Sequence, residues 1–470
     1  MGADFLRALR ACLGDANVLV DGDMDAYEVD WRKRYRGHAL AVARPSSTAE
    51  VASVVRLCAA HAVPIVPQGG NTGLVGGGVP DASGRMLVLS LARMQQVRQV
   101  DPDNLTAIVE AGCVLHALQA TAESHGLLFP LRLGSEGTCT IGGNLASNAG
   151  GTQVLRYGNA RELCLGLEVV TASGDVWDGL TGLRKDNTGY DLRDLFIGSE
   201  GTLGIITAAT LKLFPRPAAT LTALAACPDI DAAIGLLRRA RMHLDAGLTG
   251  FEVMGAFALQ LQARHFPLLR NPLPASPWTV LLELAAGDAT EASQRLSSLM
   301  EEAEGLGLAS DAVVAGNLAQ AHALWELRES IPLAQAREGL NIKHDVALPV
   351  SAIPDFLRHM DTSLDALVPG VRMVVFGHLG DGNLHFNVQA PEGMPAAEFL
   401  HQHETALNQT VYDAVLARGG TFSAEHGIGA LKVDELAKRK SPVALGMMRA
   451  IKQALDPQGL LNPGRVLPPP

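Results

Sequence analysis

Cysteine is sparse and unpatterned in this chain of 470 residues. Cys12, Cys58, Cys113, Cys139, Cys164 and Cys227 all fall in its first half without C-x-x-C spacing, so they read as reduced, mostly buried thiols and not as a disulfide framework. Cations are outnumbered as well, 38 Lys and Arg against 49 Asp and Glu, for a net charge of -11. That excludes a nucleic-acid surface as the main business of the protein, because phosphate backbones demand clustered cations. The one basic run, Arg32-Lys33-Arg34-Tyr35-Arg36, reads as a solvated loop or as a cover for a negative cofactor. No apolar run approaches the roughly 20 residues of a membrane span. Asp4, Asp15, Asp21, Asp23 and Asp25 interrupt anything resembling a leader or transit peptide, so a cytoplasmic location is expected.

What is present is globular: 47% hydrophobic and 19% charged residues, at a length that implies two or three domains. Apolar residues at helical spacing (Phe5, Leu6, Leu9, Cys12, Leu13) predict a short leading helix. A strand over 39–44 follows, then Ser47-Thr48-Ala49-Glu50 in capping-box form and the stripe Val51, Val54, Val55, Cys58, Ala59, a helix ending near Ala62. A strand over 63–66 completes a β-α-β unit. Further strands are predicted over 86–91, 106–110, 167–171 and 204–213.

After Pro215-Arg216-Pro217 the texture changes to long amphipathic helices (230–244, 290–305, 352–367) alternating with strands (278–284, 345–348). That alternation predicts an antiparallel sheet covered on one face by helices, an α+β arrangement. The expected organisation is a helical segment over 1–38, a first domain over 39–215, an α+β domain over 216–440 and a C-terminal segment over 441–470. The Pro- and Gly-dense run 455–465 should fix that last segment in one shape and dock it back on the body.

Three glycine loops punctuate the first domain. Pro67-Gln68-Gly69-Gly70-Asn71-Thr72-Gly73-Leu74-Val75-Gly76-Gly77-Gly78 directly follows a strand, and successive glycines let backbone N–H groups converge on an anion. A nicotinamide-type fold needs such a loop to open into a helix; here Pro80-Asp81-Ala82-Ser83-Gly84 and another strand follow instead. Taken alone the loop is either a pyrophosphate cradle or a turn-rich connection. Gly134-Ser135-Glu136-Gly137-Thr138-Cys139-Thr140-Ile141-Gly142-Gly143-Asn144, running on to Asn148 and Gly150, and Ile197-Gly198-Ser199-Glu200-Gly201-Thr202-Leu203-Gly204-Ile205-Ile206 repeat the pattern. Three loops in one domain fit a large, extended, phosphate-containing cofactor.

The second domain holds a denser signal. Val374-Val375-Phe376-Gly377-His378-Leu379-Gly380-Asp381-Gly382-Asn383-Leu384-His385-Phe386-Asn387-Val388 predicts a hairpin with His378 and His385 opposite one another and with Asn387 on the face of His385. Downstream, Glu425 and His426 stand in a glycine-flanked loop. Each histidine singly reads as structural. Two histidines and a glutamate together leave a coordination position open, as a catalytic zinc or similar divalent ion requires.

These motifs carry a family resemblance. P-x-G-G-N-T-G, G-T-x-x-G-G-N-x-x-x-N-A-G-G and G-S-E-G-T-L-G-I-I, with G-H-x-G-D-G-N-x-H and E-H-G-I-G, resemble the vanillyl-alcohol-oxidase-like flavoproteins, on the branch of the D-lactate, glycolate and D-2-hydroxyglutarate dehydrogenases. The resemblance runs from about Arg44 to Arg465. It implies a PCMH-type FAD-binding domain, a ferredoxin-like α+β substrate domain and a C-terminal helical segment, with an electron-transfer flavoprotein or a quinone as electron acceptor and a homodimeric assembly.

It also implies site residues. Pro67, Gly69, Gly70, Asn71, Thr72, Gly73 and Leu74 would contact FAD, as would Gly134, Ser135, Thr138, Thr140, Gly142, Gly143, Asn144, Asn148 and Gly150. Glu200, Gly201, Gly204, Ile205, Ile206 and Asn462 complete that set. The first loop has no obvious tethering histidine or cysteine, so FAD is expected to be non-covalent. His378, His385 and Glu425 would hold the metal, zinc or another divalent ion, and His426 would be the base.

Arg328, in Leu324-Trp325-Glu326-Leu327-Arg328-Glu329, reads alone as surface charge on a helix. The L-W-x-L-R-E and K-H-D patterns resemble those in which the matching Arg328 and Lys343 bind a D-2-hydroxy acid, with Asn387 nearby. Pro332 stands where a threonine hydroxyl can contribute in that branch, so D-malate or D-lactate would also be accepted. Activity should fall as the pH drops through the histidine range, and a chelator should abolish it.

Overall fold

The computed structural model describes residues 2–468. Their contacts divide the chain into two units, residues 1–151, 158–216 and 425–470 in one and residues 152–157 and 217–424 in the other.

The first unit contains two larger sheets. In the four-stranded one, Val18–Leu19, Ala39–Ala43, Met86–Ser90 and Ile65–Gln68 lie in that order, the last three parallel. The β-α-β unit therefore opens in the middle: Met86–Ser90, buried at every residue, inserts between its two strands. An apolar strand without polar alternation can be satisfied only at such a central position, covered on both faces. Helix Thr48–His61 starts where the Ser47 side chain accepts from the Glu50 N–H, and it buries Val51, Ala52, Val54, Val55 and Cys58. The second sheet is antiparallel: Val97–Asp101, Thr106–Glu110, Ile205–Lys212, Cys164–Val170 and Val176–Gly179, in that order.

The chain's last segment closes the exposed edge of the first sheet. Ile65 forms a parallel bridge with Leu461, the Ile65 N–H donating to the Leu460 carbonyl (2.8 Å) and the Asn462 N–H to the Ile65 carbonyl (2.7 Å). Covering an edge in this way removes a row of unpaired backbone groups. Buried Asp456 accepts from the N–H groups of Leu460 and Leu461, and Lys452 donates to the carbonyls of Thr202 and Leu461.

The second unit is built on a seven-stranded antiparallel sheet. Its order is Asp311–Val314, Ala219–Cys227, Trp278–Ala286, Leu248–Gly255, Arg372–His378, Asn383–Gln389 and Asp345–Ala347. Leu224, Leu281, Met254, Val374 and Phe376 pack from one face against Trp325 and Leu327 of helix Leu318–Glu329 and Ile331 of helix Ile331–Glu338. On the opposite face Phe386 meets Phe356 of helix Ile353–Leu367, ring centroids 5.3 Å apart. Helices thus cover both faces, where the sequence pattern suggested one. The reason is visible in Trp278–Ala286, whose interior is buried throughout and apolar on both sides apart from Thr279 and Glu283. Among the described residues no helix is long and apolar enough to cross a membrane.

Candidate functional site

In the first unit the glycine loops meet around an open cleft. Pro67, Gly69, Gly70, Asn71, Thr72 and Gly73 line it from the first loop. Thr140, Gly142, Gly143 and Asn144 line it from the second, and Glu200, Gly201, Gly204, Ile205 and Ile206 from the third. His426 also reaches this cleft. Val75, Leu91, Ile205 and Ile206 supply apolar wall beside the polar cradle.

The loops approach too closely for side chains at two positions. A Cβ on Gly69 would stand 2.3 Å from the Thr140 hydroxyl, and one on Gly70 would stand 2.1 Å from the Thr138 carbonyl oxygen. Asn71 adopts a left-handed conformation (φ 51°) and ties the loop down by donating to the carbonyls of Ala26 and Val29.

The cleft does not take in every residue expected at the cofactor. Leu74, Gly134, Ser135, Thr138, Asn148, Gly150 and Asn462 are not among its lining residues. Asn148 accepts from the Arg161 N–H. Asn462 donates to the carbonyls of Gly77 and Glu200. Gln68, Val75 and Ser147 line the cleft without having been singled out. Helical spacing puts Ser147 one turn beyond Gly143, which was the available signal.

Two lining atoms test whether FAD fits. The Thr140 hydroxyl and the Asn144 side-chain nitrogen are buried with no hydrogen-bond partner in the protein. Buried polar groups in proteins are mostly paired, and these two line the cleft, where a ligand with complementary polar atoms, as a phosphate-bearing cofactor has, would pair them.

In the second unit one sheet face collects the remaining chemistry. Strands Arg372–His378 and Asn383–Gln389 pair with Phe376 facing His385 and His378 facing Asn383. The two histidines are therefore diagonal neighbours on one face, not opposite one another, because the four-residue turn 379–382 sets the register. Their rings still meet edge to face, centroids 5.5 Å apart.

The decisive neighbour is Glu252, a fully buried carboxylate on strand Leu248–Gly255. One of its oxygens lies 2.6 Å from His378 Nδ1, and the other accepts from Arg328 Nε at 2.7 Å. Burial alone would raise this carboxyl, but the Arg328 guanidinium and the hydrogen bond with His378 outweigh it and hold it below the usual carboxylate range. A carboxylate on Nδ1 fixes the tautomer with the lone pair on Nε2, the form that binds a metal. The donor chemistry thus fits a divalent ion at His378. Glu252 was missed in the sequence; a single acid inside Leu248-Thr249-Gly250-Phe251-Glu252-Val253-Met254 was the available sign.

Arg328 is buried, stacked on Phe376 (4.8 Å) and anchored through Nε. Asn387 is buried too, accepting from the His344 N–H and donating to Gln335. Lys343 is half-buried, between the Ile342–Val388 bridge and strand Asp345–Ala347. The unit ends at Ala424, whose N–H donates to the carbonyl of Asp345, the residue paired with His385. Glu425 is the next residue in the chain.

Two family models match the chain. Residues 39–179 match the FAD binding domain family, and residues 216–466 match the C-terminal domain of FAD linked oxidases. This chain belongs to the FAD-linked oxidases. It is an FAD-dependent oxidoreductase with an FAD-binding domain and an α+β C-terminal domain. A mitochondrial D-2-hydroxyglutarate dehydrogenase of Rattus norvegicus is 40% identical over 459 residues, covering 97% of this chain and 84% of its own length. The D-2-hydroxyglutarate dehydrogenase of Xanthomonas citri pv. viticola is 40% identical over 447 residues, 94% of this chain and 92% of its own. Among solved structures, p-cresol methylhydroxylase with substrate bound superposes with a TM-score of 0.78 at 18% identity, over 99% of this chain and 96% of that one. At that identity the likeness speaks for the PCMH-type fold alone.

Proposed function

We propose that this FAD-linked oxidase dehydrogenates D-2-hydroxy acids, D-2-hydroxyglutarate foremost, to the corresponding 2-oxo acids. The observation that carries the reading is the double use of Glu252. One buried carboxylate orients a metal-type histidine and a carboxylate-type arginine on the same sheet face, so a hydroxyl and its neighbouring carboxylate can be addressed together. Near full-length similarity to D-2-hydroxyglutarate dehydrogenases of a mammal and a bacterium supports the same substrate class.

Bound FAD supplies the acceptor for the C2 hydride, and a divalent ion, zinc or another, supplies Lewis acidity at the 2-hydroxyl. His378, His385 and Glu425 would hold that ion. His426, neutral, takes the hydroxyl proton; a cationic imidazole has no lone pair with which to do so. Arg328, pinned through Nε by Glu252, directs its terminal nitrogens to the carboxylate next to the reacting carbon. Lys343 grips the distal carboxylate of a diacid, and Asn387 supports the shell. An electron-transfer flavoprotein or a quinone would be the electron acceptor of a cytoplasmic and homodimeric enzyme.

Pro332, at the start of helix Ile331–Glu338, offers no hydroxyl to the diacid and favours a second reading, a D-lactate or glycolate dehydrogenase. A panel of D- and L-2-hydroxy acids with a dye acceptor, with and without added zinc, tests both. Highest kcat/KM on D-2-hydroxyglutarate supports the first reading; highest kcat/KM on D-lactate or glycolate overturns it.

A further inference from the structure

Glu200 occupies an unusual place. It is non-glycine in the left-handed region (φ 53°), it lines the cleft, and both its carboxylate oxygens accept from the loop that carries His426. The Ile428 N–H donates to Oε1 and the Gly429 N–H to Oε2, each at 2.7 Å. Two N–H donors on two separate oxygens are what a carboxylate satisfies and a carboxamide cannot.

The loop is shaped for this contact. Gly427 (φ 77°) and Gly429 (φ 52°) are both left-handed. A Cβ on Gly427 would fall 2.7 Å from Glu200 Oε1, and one on Gly429 would fall 2.2 Å from the Val75 carbonyl oxygen. That carbonyl accepts from the N–H groups of Ala430 and Leu431, which binds the loop to the first glycine loop. Glu200 is held in turn from behind: its N–H donates to the Ala146 carbonyl, and its carbonyl accepts from the Asn462 side chain. Both backbone groups of Glu200 therefore fix Glu200 itself, and both carboxylate oxygens hold the backbone of 428 and 429.

We propose that Glu200 is a positioning residue for the dehydrogenation: it clamps the backbone just beyond His426 and so sets the imidazole in the cleft. This rests on His426 acting as the base. The geometry separates it from a purely structural acid, because the clamp ends within two residues of His426 and a slack loop would scatter the imidazole without emptying the cleft.

Glu200→Gln places an NH2 against one of the two N–H donors and so breaks half the clamp. With the full-length FAD-loaded enzyme, hydrogen–deuterium exchange of a peptide spanning 427–432 should accelerate by about tenfold or more, as loss of one charge-assisted hydrogen bond implies. The bound-flavin absorbance should be retained, kcat should fall by about tenfold or more, and KM should hold within about twofold. Asn462→Ala, which loosens Glu200 from behind, should give the same pattern more weakly, and it serves if Glu200→Gln does not fold. Unchanged exchange at 427–432 overturns the clamp, and accelerated exchange with an unchanged kcat overturns its role in catalysis. His426→Asn run alongside keeps the two readings apart: normal turnover there removes the base itself, whereas exchange in Glu200→Gln reports on the clamp without reference to turnover.

Discussion

Replacing Glu252 by glutamine keeps the shape of the side chain and deletes one charge from the middle of the second unit. The fully buried carboxylate bonds Arg328 through one oxygen and His378 through the other. Arg328 and His378 hold its carboxyl well below the ordinary 4.5, and breaking a buried, hydrogen-bonded pair by removing one partner costs about 3 kcal/mol. Because the folded-state value lies below the unfolded one, that stabilisation is fully present above about pH 4.5 and is lost as the pH falls towards 2. Glu252→Gln should therefore lower the stability of a unit of roughly 200 residues by about 3 kcal/mol, a fall in Tm of roughly 6–12 °C, and flatten its acid-unfolding profile between pH 4.5 and 2. The second consequence is chemical. If the glutamine oxygen keeps Arg328, its NH2 faces His378 Nδ1, and the ring must carry its proton on Nε2, where the metal would bind. Zinc affinity, read by competition against a chromogenic chelator, should drop about 10–100-fold. Unchanged zinc affinity, with His378 still folded in place, would refute the claim that Glu252 sets the tautomer.

Other perturbations give distinct signatures. Thr140→Val removes a buried hydroxyl with no protein partner, so the apoprotein should keep or gain stability while FAD dissociates about tenfold more readily, measured by flavin fluorescence. Gly70→Ala drives a methyl to 2.1 Å from the Thr138 carbonyl oxygen and should cost about 1–3 kcal/mol and deplete bound flavin, seen by calorimetry and absorbance. Lys343→Met should cut kcat/KM for D-2-hydroxyglutarate by about a hundredfold and spare D-lactate, as loss of a charged contact to the distal carboxylate alone implies. Equal losses on both substrates would remove Lys343 from diacid recognition.

The parts of the molecule legible in its sequence are those where local chemistry leaves few choices. Gly69 and Gly70 announce themselves because two loops pass too closely for a Cβ, and Ser47 because a helix start needs a side-chain acceptor. The hairpin bearing His378 and His385 was evident from its apolar flanks and Gly-Asp-Gly-Asn turn, yet the register that makes the histidines diagonal depends on where pairing resumes after the turn. Glu252 lies more than a hundred residues from His378, and no local pattern records their contact. Insertion of Met86–Ser90 between two earlier strands, and the return of Leu461 to Ile65, are likewise settled by which edges need covering.

The central claim is that a flavin and a metal ion together take a hydride and a proton from a D-2-hydroxy acid. It is tested most directly by mixing FAD-loaded, metal-stripped enzyme anaerobically with D-2-hydroxyglutarate and following flavin absorbance before and after zinc is restored. Bleaching that appears only with zinc, and only with the D enantiomer, is the predicted result. Equally fast bleaching without metal, or by the L enantiomer, would contradict the account.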